Sequence, residues 1–301
     1  MNADIVLSAK GGCRRSLART ISALENHSLN IDEALSILGT NGADELQDSH
    51  WKTMAITGAP GVGKSCLVDK IISHWASQGK KIALLAVDPS SSRTGGALLG
   101  DRVRLSVVDD IMLKDRVYVR SIATRKSSSS VPAIVSDIVK LLLALEWDRV
   151  VIETVGAGQS EVRCAAIADR IVVVEGPARG DGIQAEKAGL LELADAVIVN
   201  KSDMAGARKH ADEIKESFEL GDGQSPPVLL TCAITGDGCQ FASDLLLNLQ
   251  STGRSTKARW RERLLSGLEQ RILKNPQFDS LLSALASGSI ELDEALNKLN
   301  N

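Results

Sequence analysis

Gly58-Ala59-Pro60-Gly61-Val62-Gly63-Lys64-Ser65 satisfies the pattern G-x-x-x-x-G-K-[ST] at every fixed position. The chemistry of that pattern is polyphosphate binding. Glycines let the backbone N–H groups of a tight turn converge on one anion, and a helix N-terminus directly behind the turn adds more. Lys64 would reach the β- and γ-phosphates, and the Ser65 hydroxyl would meet Mg²⁺. Gly58 through Cys66 are therefore the candidate phosphate-binding residues. The flanks agree, since Thr53 to Thr57 reads as a short buried strand and Cys66 to Ile72 as the start of a helix.

A second segment addresses the base. Asn200-Lys201-Ser202-Asp203 follows the apolar run Ala196 to Val199. N-K-x-D at a strand end suits guanine. The Asp203 carboxylate has only acceptors, and it can take both N1–H and the N2 amino group, a donor pair that adenine lacks on that edge. Thr231-Cys232-Ala233-Ile234 follows a later apolar run, Val228 to Leu230. It stands where GTPases often set a Ser-Ala-Lys turn against the guanine. Cys232, Ala233 and Ile234 are thus candidate base contacts, although Cys232 and Ile234 depart from that pattern.

Three more segments bear on the metal and the γ-phosphate. Val150 to Glu153 is an apolar strand ending in an acid, the Walker-B arrangement, and Gly156 follows where a backbone N–H could approach the γ-phosphate. Asp88 ends another apolar run and opens a loop of small polar residues that reaches Asp101 and Arg102. Asp88 and Asp101 are hard oxygen ligands suited to Mg²⁺, directly or through its waters; the alternative is a pair of solvated loop carboxylates. Gln159 would place the attacking water or only shape its loop. Arg93, Arg102 and Arg104 would stabilise charge or form surface ion pairs. The segment Gly180 to Gly189 (GDGIQAEKAG) leads into a helix carrying Lys187.

The elements that must position these residues alternate strand and helix. Strands are expected near 53–57, 81–87, 117–122, 149–154, 170–175, 196–200 and 228–233. Runs such as Ile171 to Val174 are apolar on both faces, as in a parallel sheet covered by helices. The motifs fall after the strands, where ligands bind in doubly wound sheets. Residues 1–45 read as a helical extension, 46–250 as the nucleotide-binding domain, and 251–301 as a helical segment after a polar linker. Leu264, Leu265, Leu268 and Ile272 form one stripe there, and Leu281, Leu282 and Leu285 another. A tail of that length cannot bury such stripes alone, so it packs on the domain or forms a dimer.

Composition narrows the class. With 301 residues and 44% hydrophobic content, the chain can bury a substantial α/β core. Lys and Arg total 35 against 38 Asp and Glu, a net charge of −3, which disfavours a nucleic-acid binder. Aromatics at 3% leave little for base stacking. The five cysteines form no C-x-x-C pair and read as reduced thiols. No apolar run approaches the ~20 residues that span a bilayer. Met1 to Ile5 lacks the features of a signal peptide, so a bacterial cytoplasm is expected.

Taken together, GAPGVGKS, VDPSSSRTGGALLGD, VIETVGAGQSE, GDGIQAEKAG and NKSD resemble the MeaB/ArgK family of P-loop GTPases. The resemblance implies an α/β P-loop NTPase fold with a mostly parallel, doubly wound sheet and helical extensions at both ends. It implies Mg²⁺-dependent hydrolysis of GTP to GDP, with Lys64, Asp88, Asp101, Glu153, Gln159 and Lys187 carrying the chemistry and its relay. It further implies a homodimeric chaperone that loads and protects an adenosylcobalamin-dependent acyl-CoA mutase, such as methylmalonyl-CoA mutase. No cobalamin motif D-x-H-x-x-G is present, so the expected partner is the mutase protein. Two other classes stay open. A metallochaperone GTPase is disfavoured by four unclustered histidines, His27, His50, His74 and His210. A P-loop kinase linked to amino-acid transport is disfavoured by N-K-S-D.

Overall fold

A computed structural model of the chain describes residues 3–40, 51–89, 105–124, 131–154, 167–177, 191–219, 224–253, 256–273 and 275–300. Seven strands form one sheet: β1 (Thr53–Thr57), β2 (Ile82–Pro89), β3 (Val117–Thr124), β4 (Arg149–Thr154), β5 (Arg170–Glu175), β6 (Ala196–Asn200) and β7 (Val228–Thr231). Their order is β3-β2-β4-β1-β5-β6-β7, and every pair is parallel. This is the α/β fold expected from the doubly apolar runs. All of β1, β4 and β6 is buried, because helices cover both faces of a parallel sheet.

Each expected strand is present, with ends that shift by up to two residues. β2 and β3 run on together until Pro89 pairs with Thr124. β7 stops at Thr231 because the Cys232 amide turns away to the Asp237 carbonyl at 2.9 Å.

Helices α1 (Ala3–Lys10), α2 (Arg14–Glu25), α3 (Ile31–Leu38) and α5 (Val131–Ala144) cover one face, while α4 (Lys64–Ser77) lies on the other. The N-terminal helices are part of the main core. Ile21, Leu24 and Leu35 join Ile138, Leu85 and Ile152 in one cluster, and Arg14 donates to the Val117 carbonyl at 2.6 Å. The spacing Leu17, Ile21, Leu24 turns one stripe of α2 inward, as its period requires. α6 (Ala207–Glu219) seals β5 and β6 with Ile214 and Phe218. α7 (Cys239–Leu247) packs beside α4, where Trp75 Nε1 donates to the Ser243 carbonyl at 2.8 Å.

Three more helices follow: α8 (Thr256–Leu273), α9 (Phe278–Ala286) and α10 (Leu292–Asn300). Arg259 moors α8 at the starting ends of the strands. Its buried guanidinium donates to the Asp169 carbonyl at 2.7 Å, to the Leu193 carbonyl at 3.2 Å and to the Asp195 carboxylate. Asp195 also accepts from the Ile171 amide at 2.8 Å, and Asp169 from the amides of Lys52 and Thr53 at 2.8 and 2.9 Å. Breaking a buried, hydrogen-bonded ion pair of this kind by removing one partner costs about 3–5 kcal/mol. Beyond this mooring α8 exposes Trp260, Leu264, Leu265 and Leu268. No helix among the described residues is long and apolar enough to cross a membrane.

Candidate nucleotide-binding site

β1 lies between β4 and β5, and the chain leaves it toward β2 on one side and later reaches β5, β6 and β7 on the other. A crevice opens at such a reversal, beyond the carboxyl ends of the strands. The turn from β1 to α4 occupies it. Gly58 has φ 141°, and a Cβ there would stand 2.0 Å from the Val174 carbonyl oxygen, so β5 leaves room for glycine alone. Gly63 has φ 93° and sits against Asn200, whose Nδ2 would be 2.5 Å from an added Cβ.

Lys64 opens α4, and its side chain is buried. The ammonium donates to the carbonyls of Gly58 at 2.6 Å and Ala59 at 3.1 Å, which holds it over the turn. The Ser65 hydroxyl donates to Glu153 Oε1 at 2.7 Å. β4 thus delivers its terminal acid to the first turn of α4. The donor set fits Mg²⁺: Ser65 would offer an oxygen lone pair while its hydroxyl hydrogen stays directed at Glu153, and both groups are hard oxygen donors. A further bond ties the end of β4 to that of β1, from Thr154 Oγ1 to Thr57 Oγ1 at 2.9 Å, fully buried.

The N-K-S-D segment is joined to the Gly58–Ser65 turn. Asn200 ends β6 and is buried. Its Nδ2 donates to the Val62 carbonyl at 2.9 Å, and its Oδ1 accepts from Thr231 Oγ1 at 3.1 Å and the Ala233 amide at 3.0 Å. Lys201, at φ 61°, donates from Nζ to the Gly61 carbonyl at 2.6 Å. Asp203 is exposed, and its Oδ1 accepts from the Cys232 thiol at 3.1 Å. The departure at Cys232 therefore still places a proton donor on the aspartate. Ile234 points into solvent, 83% exposed.

The structure brings together Gly58 through Cys66, Glu153, Asn200, Lys201, Asp203, Cys232 and Ala233 at one end of the sheet. The Asp88 backbone reaches the same end within β2. The Asp88 side chain, Asp101, Gly156, Gln159 and Lys187 lie outside the described residues.

Sequence reasoning missed Thr57, Thr154 and Asp69. Asp69 is buried on α4 and accepts from the Ser106 hydroxyl at 2.6 Å and the Val107 amide at 3.1 Å. The available signal was a carboxylate set among Leu67, Val68, Ile71 and Ile72 on an otherwise apolar stripe.

The family described as methylmalonyl Co-A mutase-associated GTPase MeaB matches residues 17–278. The chain belongs to this family. It is 32% identical over 310 residues to an inferred GTPase of Pyrococcus abyssi, an alignment that covers 96% of this chain and 92% of that protein. It is 38% identical over 210 residues to the fused isobutyryl-CoA mutase of Paraburkholderia xenovorans, spanning 68% of this chain and 16% of that one. A solved LAO/AO transport system kinase shares the fold, with a TM-score of 0.66 at 20% identity over 99% of this chain and 96% of that one. As a MeaB-family GTPase, the chain has its phosphate turn and its N-K-S-D segment bonded into one unit.

Proposed function

We propose that this MeaB-family GTPase couples Mg²⁺-dependent GTP hydrolysis to the loading and protection of an adenosylcobalamin-dependent acyl-CoA mutase. The guanine half of the reading rests on one observation above all: Asn200 and Lys201 bind the phosphate turn while Asp203 stands beside them. The mutase half draws support from the fused isobutyryl-CoA mutase, in which a segment similar to this chain is part of the same polypeptide as a mutase.

In this reading water attacks the γ-phosphorus, the bond to the β–γ bridging oxygen breaks, and GDP and phosphate leave. Lys64 and the amides of the turn take up charge on the phosphates. Bound Mg²⁺, held by Ser65 with Glu153, Asp88 and Asp101 around it, would neutralise further charge. Gln159 would orient the water, and Lys187 would relay the γ-phosphate state to the partner.

The test measures GTP turnover with and without the cognate adenosylcobalamin mutase. The parent should be stimulated about tenfold or more, within the range that completing a phosphoryl-transfer site reaches, and Lys187→Ala should lower that stimulation factor. Absence of stimulation by the mutase removes the mutase reading, and an unchanged factor in the variant removes Lys187 from the relay.

The exposed stripe Trp260, Leu264, Leu265 and Leu268 supports a homodimer formed through α8. Sedimentation should give a dimer for the parent and a monomer for Leu264→Glu combined with Leu268→Glu. A monomeric parent at micromolar concentration would remove this element. The thiols of Cys13, Cys66, Cys232 and Cys239 are free, which supports a reducing cytoplasm.

A further inference from the structure

Backbone pairing between β1 and β4 stops where the phosphate turn begins. The last pair is Ile56 beside Glu153. One residue further, Thr57 stays in register with Val173 of β5, and Thr154 with Val87 of β2. Each strand end thus follows its outer neighbour. The two sides carry different parts of the site. β1 leads into the turn that holds Lys64, while β4 delivers Glu153.

Side chains bridge the line where the ladder has ended. Thr154 Oγ1 donates to Thr57 Oγ1 at 2.9 Å, and the two residues are 2% and 0% exposed. The Ser65 hydroxyl meets Glu153 at the same level of the sheet. The two bonds lie on opposite faces, because successive side chains of a strand alternate. Val151 packs in the cluster under α4, and Glu153 shares its face. Val150 and Ile152 pack in the cluster on the other face, and Thr154 follows them. The end of β4 is therefore held from both sides. A β-branched residue is stiff at χ1, so the hydroxyl bond constrains the backbone that carries it.

We infer that Thr154 and Thr57 are a positioning pair for the metal: their buried bond fixes the end of β4 and so keeps Glu153 beside the Ser65 hydroxyl. The inference rests on the Mg²⁺ reading of Ser65 and Glu153 and adds what holds the two oxygens together. Both threonine hydroxyls face away from Glu153, so their effect on the metal runs through the backbone. The phosphate turn hangs on β1, which keeps its pairing with β5. Loss of the bond should therefore weaken the metal's contribution and spare metal-free nucleotide binding.

The experiment measures GDP dissociation constants in Mg²⁺ and in EDTA for the parent, Thr154→Val, Thr57→Val, the double variant and Thr154→Ser. The ratio of the two constants is the coupling between metal and nucleotide. Valine keeps the branched shape and removes the hydroxyl. Thr154→Val should cut the ratio about fivefold, the size of effect that one buried hydrogen bond carries, while the constant in EDTA stays within about twofold. Thr154→Ser keeps the hydroxyl and should restore the ratio to within about twofold. In the double variant the two losses should not add, since either change breaks the same bond. Thr57→Val carries the same test if Thr154→Val fails to fold by its melting curve. The inference is overturned if the ratio is unchanged in the valine variants, if affinity falls equally with and without Mg²⁺, or if serine rescues no better than valine. A parent whose GDP affinity ignores Mg²⁺ would overturn the metal reading itself, and the inference with it.

Discussion

Lys64→Ala should lower GTP turnover by about 10²- to 10³-fold, the usual result of deleting one preorganised charge from a site that stabilises a transition state. The ammonium is fixed over the turn by the carbonyls of Gly58 and Ala59. That places a full positive charge inside the loop whose amides would meet the phosphates. Because charge on the transferred phosphoryl oxygens is what the protein must offset, losing that charge falls on the chemical step. Nucleotide affinity should drop as well, since the ground state carries the same phosphates. Alanine is the best helix former, so α4 should keep its first turn. Single-turnover hydrolysis with the melting temperature measured in parallel decides the matter. A variant that folds and turns over within threefold of the parent would remove Lys64 from the phosphate site.

Asp203→Asn should exchange guanine for xanthine. The Cys232 thiol already donates to Oδ1, which favours placing the variant's amide oxygen on that side and its NH₂ group on the other. An amide so oriented accepts from N1–H and donates to the C2 carbonyl of xanthine. Toward guanine it sets donor against donor. A site built around a hydrogen-bonding pattern rejects the mismatched partner strongly, because buried polar groups are left unpaired. The expected loss for GTP is on the order of 10²-fold, with XTP becoming the tighter ligand. Competition of both nucleotides against a fluorescent GDP analogue measures it. A variant that still prefers GTP over XTP would show that another group reads the base.

The fold was legible to within a residue or two per strand because the strands are apolar on both faces. Ile171 to Val174 and Ala196 to Val199 admit no amphipathic alternative, and their burial bears this out. Strand ends were less legible, since pairing with a neighbour sets them. β2 and β3 extend one another to Pro89 and Thr124, which neither sequence alone reveals. The phosphate turn was readable because all its residues are contiguous. What joins it to the base site was not. The bond from Asn200 to Val62 spans 138 positions, and that from Ser65 to Glu153 spans 88. Such pairings depend on which strand ends become neighbours, and strand order is not written locally. Cys232 looked like a departure for the same reason. The residue type departs from the pattern, yet its thiol still donates to Asp203, a residue 29 positions away.

Arg259 has a consequence at the scale of the whole molecule. It fastens α8 where the strands begin, while Gly58, Glu153 and Asn200 stand where they end. Strands of five or six residues put nearly 20 Å of hydrogen-bonded sheet between those places. The groups that meet Trp260 and Leu264 therefore sit at the opposite end of the sheet from the nucleotide crevice. A partner bound there would influence GTP through the sheet and its covering helices, and by linkage GTP would influence that partner equally.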